Sequence, residues 1–564
     1  MNFKTKEFIR RISNVKTIDD FEYTFSLMYV SYLSKRLLST NNLVFNYHEV
    51  IKKEEDKEIK KFLDKTLSSV NFEDVNFFFN IDEDVLSIHA LKYPENINTN
   101  FDYSFTNNSI INLSNKLLKI DKGEVVGDFC SGMGSFLNST AINFPNNNYV
   151  GYEINSNNLI IAKMKTNLNN IILKDNKKLN INFYEHDVLL DPVDVKFDKI
   201  FMEVPFNLRP QDEKYLDKLN SRTPLFASLN LASSLDWAFI TILMSSLKDD
   251  GVGIALAHPS TFSSLNSLSF RKHFIDNGYI EAVISLPSGL LNTTLIGPVI
   301  YKLSHNNKSV KFIDAKHIYS EERRRKTYDL SDIEKIINLL DQENDYAVNV
   351  SNKEIINNNY ILNPNQYLVK FEYEKSAQLG DLTNIKRGFM LTANQLDNYT
   401  SLDETNIKYI KTSDINDGII SNNMESLKDD INELYNYLVK NNNILLSRSG
   451  IPFKVAIYQK DEFDVFAQGN LFILEVNEKL IYPPYLQAFL HSDEGQKALK
   501  HIATDGIYSL LTINKLKEVL IPMYEYEKQV KIGNKYLLNI ERIKEIEHQK
   551  KQVILNIGNQ FDKN

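Results

Sequence analysis

The stretch Val125–Leu137, reading VVGDFCSGMGSFL, constrains the fold more than any other part of the chain. Two β-branched residues lead to an aspartate, then to a loop holding Gly132 and Gly134, and then to a resumed apolar run. That order predicts a strand, a tight glycine turn and a helix start. The glycines let the backbone pass close to a ligand, and Asp128 falls at the strand's carboxyl end, where open α/β sheets bind ligands. A dinucleotide fingerprint asks for a third glycine three residues after the second, so that the helix can pack closely. Leu137 stands there, which disfavours NAD. Cys130 sits inside the loop with no histidine in the motif, and it reads as a small packing residue.

At 564 residues the chain is too long for one core, so about three domains are expected. Its single cysteine offers no disulfide and no cysteine-based metal site, which suits a reducing compartment; no metal is expected. A net charge of −8 still leaves room for a local basic groove. The N-terminus, MNFKTKEFIRRISN, lacks an apolar core of signal length, and no run reaches the ~18 apolar residues of a membrane helix. A soluble, cytoplasmic protein is expected.

Residues 1–100 carry helix-like spacing at Phe21, Phe25, Met28, Tyr29 and Tyr32, then a charged run from Lys52 to Lys61 that reads as a solvated helix face. A helical N-terminal domain is predicted. Over 101–370 strands alternate with helices, the pattern of an α/β fold with a doubly wound parallel sheet. Asp128, Glu153 and Asp187 each follow a strand and should line one edge of that sheet. Three acceptors there suit a ligand bearing an amine, a ribose diol and an adenine amino group. Residues 378–523 show short strand-like runs, as at Ile444–Leu446, Val455–Tyr458 and Leu471–Val476, mixed with helical stretches, an α+β texture. Residues 524–564 repeat apolar side chains at Leu537, Ile540, Ile543, Ile546, Val553, Ile554 and Ile557. That is one long amphipathic helix, either packed on its own domain or serving as a dimerisation arm.

These residues resemble a family. DFCSGMGSFL is similar to the cofactor loop of adenine-specific DNA methyltransferases of the type I modification-subunit group, a Rossmann-like class I methyltransferase fold. FDYSFTNNSIINLSNKLL resembles the segment before that loop, where a Tyr-Thr-Pro sequence lies near the methionine end of the cofactor; Thr106 is kept and the proline is Asn107. GVGIALAHPSTF, YIEAVISLPSGLLNTTLIGPVIYKL and NKEIINNNYILNPNQYL resemble later parts of the modification subunit, and FSLMYVSYLSKR its helical start. LGDLTNIKRG, KYIKTSDINDG, NILLSRSGIPFKVAIY, YLQAFLHSDEG and LIPMYEYEKQVKIGNKY follow, in order, one target-recognition domain and trailing helix of a type I specificity subunit.

The resemblance implies S-adenosylmethionine as cofactor. Thr106 and the loop Ser131, Gly132 and Gly134 would approach its methionine part, with Asp128 organising the amino group, Glu153 accepting from the ribose hydroxyls and Asp187 from the adenine amino group. The family's catalytic loop reads Asn/Asp-Pro-Pro-Tyr/Phe, and here it reads Glu203-Val204-Pro205-Phe206. Glu203 and the Val204 carbonyl would accept the two N6 hydrogens of a flipped adenine, and Phe206 would stack on the base. The extra methylene of Glu203 and the loss of proline at Val204 predict cofactor binding intact with methyl transfer slow or lost. Lys386, Arg387, Lys411, Arg448 and Lys454 are candidates for contacts to double-stranded DNA. One recognition domain with one helix predicts a homodimer and a two-fold symmetric, interrupted site; a monomer with a short asymmetric site is the other possibility. No nuclease motif is present, so cleavage would need a separate restriction subunit. An adenine-N6 DNA methyltransferase ranks first, a catalytically inactive DNA-recognition protein second and a protein or RNA methyltransferase third.

Overall fold

The computed structural model of the protein describes residues 3–37, 47–92, 105–173, 178–291, 294, 296–322, 327–368, 373–390, 396–397, 399–421, 424–428, 437–459, 463–503 and 510–558. They fall into two compact units, Met1–Leu368 and Val369–Asn564. The start of the Tyr-Thr-Pro-like segment, residues 101–104, and the end of the last helix, residues 559–564, lie outside the described residues.

The first unit opens with six helices: α1 (Phe3–Ser13), α2 (Ile18–Leu37), α3 (Tyr47–Lys53), α4 (Lys57–Thr66), α5 (Phe72–Phe79) and α6 (Glu83–Lys92). On α2 the periodic Phe21, Phe25, Met28, Tyr29 and Tyr32 are all buried. The charged run does not form one continuous helix face. It is broken at Asp56, whose carboxylate accepts from the Glu58 and Ile59 amides at 2.8 and 3.1 Å and starts α4 afresh. The helical core continues into the next layer, since Met133, Ile161, Met164 and Leu168 belong to it.

That layer holds α7 (Asn108–Leu118), β1 (Val125–Asp128), α8 (Ser135–Asn143), β2 (Asn148–Glu153), α9 (Ser156–Leu173), β3 (Ile181–Glu185), β4 (Phe197–Glu203), α10 (Glu213–Asn220), α11 (Asp236–Ser246), β5 (Leu247–Ala257), α12 (Leu268–Asp276), β6 (Ile280–Ser285), β7 (Val299–Leu303) and β8 (Ser309–Asp314). A hairpin, β9 (Tyr319–Glu322) and β10 (Thr327–Leu330), and a last strand, β11 (Ala347–Ser351), follow. Nine strands form one sheet in the order β11-β8-β6-β7-β5-β4-β1-β2-β3. Alternate residues serve opposite faces: Ile200 and Met202 join one core, Phe201 the other.

The sheet is not wholly parallel. β7 runs antiparallel to both β5 and β6, and β11 antiparallel to β8. A parallel connection needs a crossover, usually a helix, and the described residues between β6 and β7 contain none, so the chain returns in the opposite sense.

In the second unit Thr383–Arg387, Leu471–Val476, Ile444–Ser447 and Val455–Ile457 form a four-stranded antiparallel sheet. Helices Pro483–His491, Asp493–Ile502 and Ile513–Lys517 accompany it, and a 33-residue helix, Tyr526–Gly558, ends the described chain. Its first half is docked: Gln529 Oε1 accepts from the Tyr482 amide at 3.0 Å, Tyr482 Oη donates to Asn534 at 2.8 Å, and Ile540 is buried. Beyond it Ile546, Val553, Ile554, Leu555 and Ile557 are 56–64% exposed. No helix among the described residues is long and apolar enough to cross a membrane.

Candidate active site at the carboxyl edge of the sheet

The glycine loop turns as its sequence requires. Gly132 and Gly134 take φ of +49° and +73°, and a Cβ on Gly134 would lie 2.9 Å from Ala162 and Phe183. The Ser131 amide donates to Tyr152 O at 2.9 Å, while Ser131 Oγ is buried with no partner. Glu153, the last residue of β2, fixes the loop from the side: its carboxylate accepts from the Gly132 amide and from the Asn155 amide, each at 2.8 Å. Burial raises its pKa.

Asp128 is 2% exposed, and its carboxylate accepts a long 3.4 Å bond from the Cys130 amide. Burial first, then the nearby Glu203 and Glu153, push its pKa well above the ordinary carboxylate value. Asp187 lies in the turn after β3, where Oδ1 accepts from the Leu189 and Leu190 amides at 3.0 and 3.3 Å. The Cys130 thiol shows how closely these groups meet. Burial, then Glu153, Asp128, Glu203 and Asp187, hold its pKa well above the ordinary value, so it stays a protonated packing residue.

Glu203 closes β4 in this company. Its Oε2 accepts from Thr106 Oγ1 at 2.7 Å, which opposes the upward push that burial gives its pKa. Thr106 stands just before α7, and Asn107 caps that helix through a 2.8 Å bond from the Ser109 amide. Asparagine at this point therefore does capping work that proline could not. Val204 is buried, and its amide donates to Leu256 O at 2.9 Å, adding one rung between β4 and β5. Pro205 is exposed. The Phe206 ring meets His258 edge-on, with centroids 5.5 Å apart at 79°. Asn207 turns the chain at φ +53°, and its amide donates to Asp236 Oδ1 at 3.2 Å. The sequence pattern singled out neither Asp236 nor His258. The first lies at the start of α11 and the second just past β5, so only their place in the sheet marks them.

The five basic residues of the second unit divide. Lys386 pairs with Glu475 at 2.8 Å, Lys411 pairs with Glu425, and Lys454 Nζ donates to Thr412 O and Asn416 Oδ1, each at 3.0 Å. Arg387 and Arg448 instead flank one turn: Arg387 Nε donates to Gly469 O and the Arg448 amide to Asn470 O, both at 2.8 Å. Desolvation lowers the Arg387 pKa, and the like charge of Arg448 adds to it.

A glycine turn after the first strand, an antiparallel seventh strand and acidic strand ends make this a class I methyltransferase fold. The N-6 DNA Methylase family profile matches residues 91–376, half of the chain, and the chain belongs to that family. The type I restriction enzyme MjaVIII methylase subunit of Methanocaldococcus jannaschii is 29% identical over 286 residues, 46% of this chain and 48% of that protein. The MpnII methylase subunit of Mycoplasma pneumoniae is 25% identical over 245 residues, 40% of this chain and 44% of that one. The chain spans about half the length of the curated relatives it matches. Among solved structures, a type I restriction-modification system methyltransferase subunit from Streptococcus thermophilus superposes with a TM-score of 0.50 at 18% identity, over 65% of this chain and 98% of that one, a likeness of fold.

S-adenosylmethionine is the methyl donor of this family. The edge fits it in kind: an unpartnered buried hydroxyl on Ser131 and four converging carboxylates suit a cationic ligand rich in N–H and O–H donors.

Proposed function

We propose that the protein is an S-adenosylmethionine-dependent DNA adenine-N6 methyltransferase that carries its own target-recognition unit. The observation that carries this reading is Glu203, held by Thr106 at the strand end next to Asp128, with Phe206 three residues on. Asp128, Ser131, Gly132 and Gly134 hold the amino-acid end of the cofactor, Glu153 its ribose hydroxyls and Asp187 its adenine amino group. When bound, the cofactor supplies a methyl group on a sulfonium sulfur. Adenine N6 is a poor nucleophile because its lone pair is delocalised into the ring. Acceptors on both N6 hydrogens, here Glu203 and the Val204 carbonyl, free that lone pair, while Phe206 supports the flipped base.

A second reading has its own support. Glu203 is longer than the Asn or Asp of related loops by one methylene, and a misplacement of about 1 Å costs on the order of a hundredfold in rate. Burial also favours its protonated form, which is a poorer acceptor. The protein then binds cofactor and DNA with transfer slow or lost.

In either case residues 378–523 form the target-recognition domain, with Arg387 and Arg448 as the leading contacts to double-stranded DNA, and the helix Tyr526–Gly558 pairs two chains on a two-fold symmetric site. The exposed stripe from Ile546 to Ile557 supports that pairing. Cleavage would fall to a separate restriction subunit. The deciding experiment is transfer of labelled methyl to mixed-sequence DNA, with mass analysis for N6-methyladenine and a cofactor titration alongside. Label on adenine establishes the enzyme; cofactor and DNA binding without label establishes the recognition protein.

A further inference from the structure

The loop that carries Phe206 is held at its far end by groups outside the acidic edge. Asn207 adopts a left-handed φ of +53°, a conformation that asparagine takes more readily than other non-glycine residues. Two bonds hold the turn and the residue after it. The Asn207 amide donates to Asp236 Oδ1 at 3.2 Å, and the Leu235 amide donates to Leu208 O at 2.8 Å, so residues 207–208 are clipped to the start of α11. Asp236 is 1% exposed, and Ser234 Oγ also donates to its Oδ1. A buried carboxylate costs stability unless hydrogen bonds repay it; burial raises the Asp236 pKa, against its hydrogen bonds from Ser234 and from the backbone of Asn207 and His258.

His258 faces the same loop from the end of β5. Its Nδ1 accepts from the Ser260 amide at 3.0 Å, which places the ring proton of the neutral form on Nε2, and Nε2 is buried and unpartnered. Burial lowers the His258 pKa and keeps the ring neutral, against the attraction of Asp236. The imidazole is thereby fixed, and it meets the Phe206 ring edge-on at 5.5 Å while that ring also packs against the sheet's core.

We propose that Asp236 and His258 are positioning residues that fix the orientation of Phe206 as a base-stacking platform. The proposal rests on the methyltransferase reading for the purpose of that platform, but not for the existence of the clip. Neither residue touches the acidic edge through a hydrogen bond. Each acts through the loop: Asp236 through the backbone turn at Asn207, His258 through the ring itself.

Hydrogen–deuterium exchange on the full chain tests the clip without reference to catalysis. In Asp236→Ala the amides of residues 203, 204 and 206–208 exchange about tenfold faster while the rest of the sheet keeps its protection. Asp236→Asn, which keeps an Oδ1 acceptor, restores slow exchange. Labelled methyl transfer to mixed-sequence DNA then tests the platform. Asp236→Ala lowers kcat by about a hundredfold and His258→Ala by about tenfold, with KM for DNA and cofactor affinity unchanged, and Asp236→Asn recovers most of the rate. Unchanged exchange at 203–208, loss of protection throughout the unit, or no rescue by Asp236→Asn overturns the proposal. A wild-type chain that transfers no methyl sinks the enzyme reading alone, and the exchange result still decides whether Asp236 holds the loop.

Discussion

Thr106 Oγ1 donates to Glu203 Oε2 at 2.7 Å, which ties the segment before α7 to the end of β4 across 97 residues of sequence. The bond occupies one oxygen of the carboxylate; in the function proposed above the other would accept from a substrate amine. It also acts against burial, which holds the Glu203 pKa above its ordinary 4.5.

A pH profile follows from that opposition. Glu203 accepts a hydrogen bond best when ionised, so methyl transfer should climb as pH rises through its raised pKa. Thr106→Ala removes the stabilisation of the ionised form and moves the climb to higher pH. Glu203→Asn, which cannot ionise, flattens it. Rates in overlapping buffers check this; one common profile for all three chains would rule Glu203 out as the titrating acceptor.

The loop can be returned to the family pattern in two steps with different costs. Glu203→Asn alone shortens the side chain and should raise methyl transfer by up to about a hundredfold. Val204→Pro removes the amide that donates to Leu256 O at 2.9 Å, and the buried carbonyl left behind costs about 1–2 kcal/mol. Thermal melts should show that loss only in chains carrying the proline. A Glu203→Asn chain no faster than wild type would mean that the loop does not limit transfer.

DNA affinity should divide the basic residues of the second unit as their contacts do. Arg387→Ala and Arg448→Ala should each weaken binding and reduce the slope of log K against log salt by about one. Lys386→Ala should change little, because its ammonium is already paired with Glu475 at 2.8 Å. Anisotropy titrations at several salt concentrations read both quantities. Equal effects at all three positions would remove the distinction.

Replacing Ile546, Val553 and Ile557 together by glutamine should leave the second unit folded, since these side chains are 56–64% exposed, and should halve the mass seen by light scattering. A mass equal to that of the wild type would show that this stripe does not pair chains.

What the sequence made legible were features written locally. The strand, glycine turn and helix of Val125–Leu137 follow from neighbouring residues, and the spacing on α2 buries as its period requires. The antiparallel β7 was not legible, because a period of two says nothing of strand direction. Nor was the clip from Asn207 to Asp236, a backbone-to-side-chain bond across 29 residues with no pattern of its own. Nor was the Lys386 pair with Glu475, which spans 89 residues between neighbouring strands.

Glu153 holds the Gly132 amide and the Asn155 amide on one carboxylate, each at 2.8 Å. The glycine loop is therefore preorganised: its shape comes from β2 and needs no occupant to stabilise it. Filling such a site spares the cost of ordering the loop, so less of the contact energy is lost than at a loop that must fold around its ligand. Weak binding at this edge would then point to the ligand's own donors and its desolvation before any disorder of the loop.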